Sequence, residues 1–355
     1  MLYFGLTNGL FLLRYALARQ NGLRRQIYYI VLLALFLFSA FRFQVGCDWS
    51  GYYFQYLAAE NIDWSVIKGT REPIWWAILG WIQNNGLPYP VANIVSSAVF
   101  FIGVHVLARR QPDPLGFLVL LFPILIINMP MSGIRQGAAI GLVCIAFASF
   151  IDRRPAHFVL WIILAAGFHS SALIFILLLP IATGRYTKTR LIMTALLSIP
   201  GAFLLASGDS AEIARIRYID TNIEAFGAAF RVGILSLSAL YFFLFVRKKW
   251  MRAFPQDYSL ASIGAIGMAL AILLVPVSSV IGDRVGYYLI PIQAMIFARL
   301  PFLSFRVNQS LHSALPYLGL LLVFLVWTQI SGHFQQCYVP YNSWLFGLPG
   351  GHFLR

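Results

Sequence analysis

Nine stretches of this chain, near residues 26–43, 91–107, 114–130, 134–151, 191–206, 228–246, 258–281, 284–300 and 314–330, are apolar over bilayer-crossing lengths. A helix needs roughly 17–25 such residues to cross a bilayer. Only 11% of the residues are charged and 60% are hydrophobic, whereas soluble domains carry about 25% charged residues. That much apolar surface has no polar shell to hide behind, which excludes a cytosolic enzyme, a disulfide-stapled secreted module and a disordered tail. Helices satisfy their own backbone in lipid, so the sequence predicts an all-α polytopic integral membrane protein. Residues 2–18, interrupted by Asn8 and Gly9, are a weaker candidate that brings the expected count to about ten spans. No positive residue precedes Arg14, so no secretory signal is expected. Two segments do not fit a simple crossing. Residues 73–83 are too short and read as an in-plane or re-entrant helix. Residues 157–182 are broken at Gly167-Phe168-His169-Ser170-Ser171 and read as a broken hairpin. With no internal repeat and no linker, one transmembrane domain over 1–355 is the simplest organisation. The three cysteines (Cys47, Cys144, Cys337) form no CxxC, so neither a zinc ribbon nor a redox pair is expected.

The net charge of +14 does not point to nucleic acid, because the basic residues sit as short knots between apolar runs. Arg14, Arg19, Arg24, Arg25, Arg109, Arg110, Arg153, Arg154, Arg185, Lys188, Arg190, Arg247, Lys248, Lys249, Arg252, Arg299 and Arg306 fall on one face if 73–83 does not cross and 157–182 turns back at His169. The positive-inside rule makes that face cytoplasmic. The remaining basic residues, Arg42, Lys68, Arg71, Arg135, Arg215, Arg217, Arg231, Arg284 and Arg355, fall on the outer face. So do the acids Asp48, Glu60, Asp63, Glu72, Asp209, Glu212, Asp220, Glu224 and Asp283, leaving Asp113, Asp152 and Asp257 inside. The inner charges read as topology anchors and the outer set as a working surface.

Several inward-running helices begin on that outer face. Ser132 is placed to cap a helix that opens with Ile134-Arg135-Gln136, and Ala138, Ala139 and Gly141 permit close helix approach. Arg71-Glu72-Pro73 opens the short helix, with Pro suited to its first position. Asp283-Arg284 stands ahead of Tyr287 and Tyr288 at the head of 284–300. A helix N-terminus offers unpaired N–H groups and partial positive charge, and an Arg fork beside it matches a phosphate. Arg71, Arg135 and Arg284 therefore predict a diphosphate site; the plainer reading is snorkelling to headgroups or pairing with Glu72 and Asp283. Arg135 has no acid near it in sequence and most needs a reason to sit at a membrane helix. His169, at a break flanked by Gly167 and two serines, is either a bridge for broken backbone or a general base. Asp48-Trp49 with nearby tyrosines suits a sugar, which stacks on aromatic rings and hydrogen-bonds to carboxylates; the rival reading is an interfacial aromatic belt. No P-loop, HExxH or DxD pair is present, so no metal and no cofactor are expected.

In this order, Gly46-Cys47-Asp48-Trp49…Tyr52, Arg71-Glu72-Pro73, Ser132-Gly133-Ile134-Arg135-Gln136, His169-Ser170-Ser171 and Asp283-Arg284…Tyr287-Tyr288 resemble the EpsG-like branch of the Wzy-type polysaccharide polymerases. The resemblance covers about residues 40–345, and its most specific element is S-G-x-R-Q with the downstream F-H-x-S. It implies a bacterial inner-membrane glycosyltransferase. Such an enzyme joins undecaprenyl-diphosphate-linked repeat units into O-antigen, capsule or exopolysaccharide at the outer, periplasmic face. Donor and acceptor glycans, the lipid bilayer, a chain-length regulator and a flippase are the implied partners, and no nucleic acid is. On this reading Arg135 holds the donor diphosphate, with Arg284 and Arg71 on it or on the acceptor's. Gln136, Trp49 and Tyr287 complete the binding set, and His169 or Asp48, ahead of Glu72, takes the acceptor proton. A lipid-linked oligosaccharide flippase and an O-antigen ligase are the alternatives; a flippase favours matched broken helices in two repeats, which this chain lacks.

Overall fold

The structure, a computed structural model, describes residues 2–182, 187–193, 196, 227–305 and 307–347. Most of the expected span 191–206, together with Arg185, Arg215, Arg217, Arg306, Arg355, Asp209, Glu212, Asp220 and Glu224, lies outside the described residues. Among the described residues every regular element is helical, and the one β-bridge joins Arg42 to Ser343. Six helices are long and apolar enough to cross a bilayer: Asn21–Ala40, Pro90–Ala108, Ile134–Ile151, Ala228–Ala253, Ser279–Phe302 and Gln309–Ile330. Four further apolar helices, Pro114–Ile126, Pro155–Phe168, Ser170–Ala182 and Tyr258–Leu274, are shorter, and Leu2–Ala16 is a 15-residue helix. The contacts divide the chain into two compact units. One is formed by residues up to Cys144, Leu164–Ser170 and the chain from Phe305 on; the other by Ile145–Ile163 and Ser171–Ser304.

In the first unit, Asn21–Ala40 packs on Pro90–Ala108 and Pro114–Leu121, and Leu2–Ala16 packs on Pro114–Leu121 and Gln309–Ile330. Small residues set the closest approach, as the sequence predicts. A Cβ on Gly103 would lie 1.8 Å from the Gly141 carbonyl oxygen, so only glycine lets these backbones meet. Ala138 and Ala139 beside it are fully buried. At one end of the unit Asp113 receives Arg14 at 3.2 Å and Arg24 at 3.4 Å, and also accepts the Gly116 N–H at 2.9 Å to start the next helix. The acid thus meets basic residues that the sequence places on the same face.

In the second unit, Ala228–Tyr241, Tyr258–Ala271 and Ser279–Ala298 pack against one another. A Cβ on Gly264 would sit 2.4 Å from Ile292 Cγ2. Arg299 pairs with Asp257 and lies 4.7 Å from the Phe254 ring centre, again joining an acid and an Arg that the sequence places on one face. One expectation is corrected here. The apolar run 258–281 breaks at residues 275–278, where Pro276 cannot continue a helix, and Ser278 accepts the Ile281 N–H at 3.3 Å. The next helix therefore starts at Ser279, and Asp283-Arg284 lies inside it rather than at its head.

The short and broken segments fall where the sequence places them. Pro73–Asn84 is a 12-residue helix with Pro at its first turn. Pro155–Phe168 stops at His169, and the chain resumes as a 3-10 helix over Ser170–Leu178.

Candidate active site

Glu72 stands immediately ahead of Pro73, whose ring fixes the helix start without needing a hydrogen bond of its own. Its side chain is buried in the first unit, and three distant stretches converge on it. Arg135, in the first turn of Ile134–Ile151, closes an ion pair from Nη1 onto Glu72 Oε2. The other carboxylate oxygen accepts the Ser170 N–H at 3.3 Å and lies 3.9 Å from His169 Nδ1. Glu72 thus satisfies a backbone donor at the helix break, a role irregular backbone in a membrane protein requires. The Arg135 guanidinium carbon also lies 5.4 Å from the centre of the Tyr52 ring. Burial pushes the Tyr52 hydroxyl above its ordinary range and Arg135 opposes this, so Tyr52 stays a neutral phenol.

The turn before Arg135 runs from Asn128 to Gly133. The Asn128 carbonyl accepts the N–H groups of Ser132 at 3.2 Å and Gly133 at 3.1 Å. The first helical bond runs from Gly137 N–H to the Gly133 carbonyl at 2.8 Å. Gly133, not Ser132, is therefore the cap. The Ser132 hydroxyl is engaged elsewhere: it donates to Asp48 Oδ2 at 3.3 Å.

Asp48 reaches that turn because Gly46 is glycine. Gly46 has φ +101°, and a Cβ there would lie 2.0 Å from the Met131 carbonyl oxygen. Its N–H bonds to the Cys337 carbonyl at 2.7 Å, and Cys47 forms a disulfide with Cys337, with Cα atoms 4.8 Å apart. His333 Nε2 lies 2.9 Å from Cys47 Sγ. The absence of a CxxC motif gives no hint of this disulfide, whose partners are 290 residues apart. Arg42 braces the same loop from inside, donating to the carbonyls of Ser39 and Val45 and to Asn93 Oδ1 while only 1% exposed.

The remaining expected residues are placed as follows. Gln136 is buried next to Arg135. Arg71, beside Glu72, is exposed and makes no ion pair with any described residue. Trp49 is only 7% exposed and packs edge-on against Phe43 and Tyr89, so its ring is part of the packing and offers no open stacking face. Arg284 and Tyr287 belong to the second unit. There Asp283 takes both its bonds from Arg231, at 2.7 Å each, and Arg231 covers the buried Tyr287 at 5.5 Å. Arg231 was not singled out by sequence, and Asp283 pairs with it across 52 positions.

The EpsG family model matches residues 25–343, nearly the whole chain. The chain belongs to the EpsG family. Comparison with curated proteins and with solved structures gives no significant match. Membership of the EpsG family suggests a polysaccharide-polymerase role and glycosyltransferase-like activity in a multi-pass membrane protein. In this EpsG-family chain, the motifs that carried the resemblance in the first unit are the ones gathered at Glu72 and Asp48.

Proposed function

We propose that this protein is a glycosyltransferase that polymerises polyprenyl-diphosphate-linked oligosaccharide repeat units, with its site on the outer face of the bacterial inner membrane. The observation that carries the reading is the convergence of Arg135 and His169 on Glu72. A hydroxyl of one lipid-linked unit attacks the anomeric carbon at the lipid end of the growing chain. The bond to the diphosphate breaks, and polyprenyl diphosphate leaves with the electron pair. His169 takes the acceptor proton, and Glu72 orients the imidazole and Arg135 together. Arg135, with Arg71, stabilises charge that grows on the leaving diphosphate, so these donors act more on the transition state than on the ground state. Asp48 orders the turn through Ser132 and offers a carboxylate to sugar hydroxyls.

The disulfide supports the outward orientation, because disulfides persist in oxidising compartments and are rare in the cytosol. Pairing of Asp113 with Arg14 and Arg24 supports the opposite end as the inner one. The testing experiment incubates the full chain in lipid with a synthetic lipid-linked repeat unit. A ladder of lengths is expected. Movement across the bilayer without bond formation would mean a flippase, and transfer only onto lipid A core would mean a ligase.

A further inference from the structure

One face of the short helix Pro73–Asn84 is open and apolar. Pro73, Ile74, Ala77, Ile78 and Trp81 recur on a helical period and, with Trp64, line a groove of about 560 Å³. Its two tryptophans are 60% (Trp64) and 57% (Trp81) exposed. Cations stand at one end: Lys68 Nζ lies 5.8 Å over the Trp64 ring, and exposed Arg71 is two residues ahead of Pro73. That end adjoins the candidate active site. Glu72 lies between Arg71 and the groove, and Ile74 packs where a Cβ on Gly167, two residues before His169, would be 2.5 Å from Ile74 Cδ1. An apolar trough with a cationic mouth fits a ligand with a long hydrocarbon tail and an anionic head.

We propose that this groove holds the isoprenoid tail of the lipid-linked substrate, with Lys68 and Arg71 against its diphosphate; this rests on the polymerase reading for the identity of the lipid. The apolar tail gains burial along several isoprene units, while a diphosphate matches two adjacent cations better than the single charge of a phospholipid phosphodiester. The placement also delivers the scissile phosphate–sugar bond toward Glu72, Arg135 and His169.

The test uses the full chain in phosphatidylcholine nanodiscs, photolysed with undecaprenyl diphosphate carrying a diazirine in its tail. Label is expected within residues 64–81, displaced by unlabelled undecaprenyl diphosphate and not by phosphatidylglycerol. Ala77→Trp fills the trough and should cut labelling about tenfold, equivalent to about 1.4 kcal/mol. Label that phosphatidylglycerol displaces equally well, or that Ala77→Trp leaves intact, overturns the proposal. Should Ala77→Trp fail to fold, Trp81→Ser at an exposed position must lower the same labelling, and no change overturns it. The probe carries no sugar. Label in the groove from a chain that builds no polymer therefore breaks the polymerase reading and keeps the groove, whereas a ladder undiminished by Ala77→Trp breaks the groove alone.

Discussion

Arg135 is paired with Glu72 across 63 positions of sequence, and the same carboxylate holds the Ser170 N–H on its other oxygen. An Arg that looks unpartnered in its own helix is therefore half of a fixed pair, and the pair is tied to the helix break that carries His169. This removes the cost of an isolated charge at a membrane helix and makes three motifs one unit.

Glu72→Gln keeps the shape of the side chain and removes its charge. The two side chains are 24% (Arg135) and 12% (Glu72) exposed, so the loss of stability should fall at or below the low end of the about 3–5 kcal/mol typical of a broken buried pair. Polymer formation should fall by about 10²-fold or more, because both the orientation of His169 and that of Arg135 are lost. Thermal unfolding and ladder length on the same preparation check both numbers. Near-normal polymer with a lowered melting temperature would assign Glu72 to the fold alone.

Gly46→Ala should be disruptive out of proportion to one methyl group. The left-handed φ alone costs about 1–3 kcal/mol in a residue with a Cβ, and the Met131 carbonyl occupies the space the methyl needs. The Asp48–Ser132 contact should open, lowering both melting temperature and activity. Gly86→Ala, also at positive φ but with nothing near its Cβ, should cost only the backbone strain and leave polymer length unchanged.

Non-reducing peptide mapping should recover Cys47 linked to Cys337, with Cys144 reduced and slow to alkylate because it is fully buried. The Cys47→Ser, Cys337→Ser protein should unfold at lower temperature, since it loses the covalent tie between the Asp48 loop and the C-terminal segment. Full alkylation of Cys47 in untreated protein would contradict the pairing.

The fold was legible where length and charge decide it. Apolar runs long enough to cross a bilayer announce themselves, and Pro73, Gly141 and the break at His169 act locally, so sequence places them well. What it misplaced depends on contacts across the chain. Ser132 has the chemistry of a cap, but its hydroxyl is engaged by Asp48, 84 positions away, and Gly133 caps instead. The break in the run 258–281 is a local exception: Pro276 and the Ser278 cap mark it, but Val275 and Val277 keep the stretch apolar. Trp49 has the composition of a sugar platform, but Phe43 and Tyr89 cover it.

Gly141→Leu should prevent folding or stable insertion, because a Cβ there meets the Phe100 Cα and the Val99 carbonyl at 2.6 Å each. Gly319→Leu is the matched control, in a long helix with nothing within 4 Å of its Cβ; it should express and run as the unaltered protein does. Monodispersity in detergent separates the two outcomes.

The most direct test compares ladder synthesis by the unaltered chain with that by Arg135→Ala and Arg135→Lys, each first shown to insert and to be monodisperse. Arg135→Ala should yield no polymer. Arg135→Lys, which keeps the charge and loses the planar fork, should fall far below the unaltered chain. Long polymer from a well-inserted Arg135→Ala protein would contradict the role given to this guanidinium and with it the proposed mechanism.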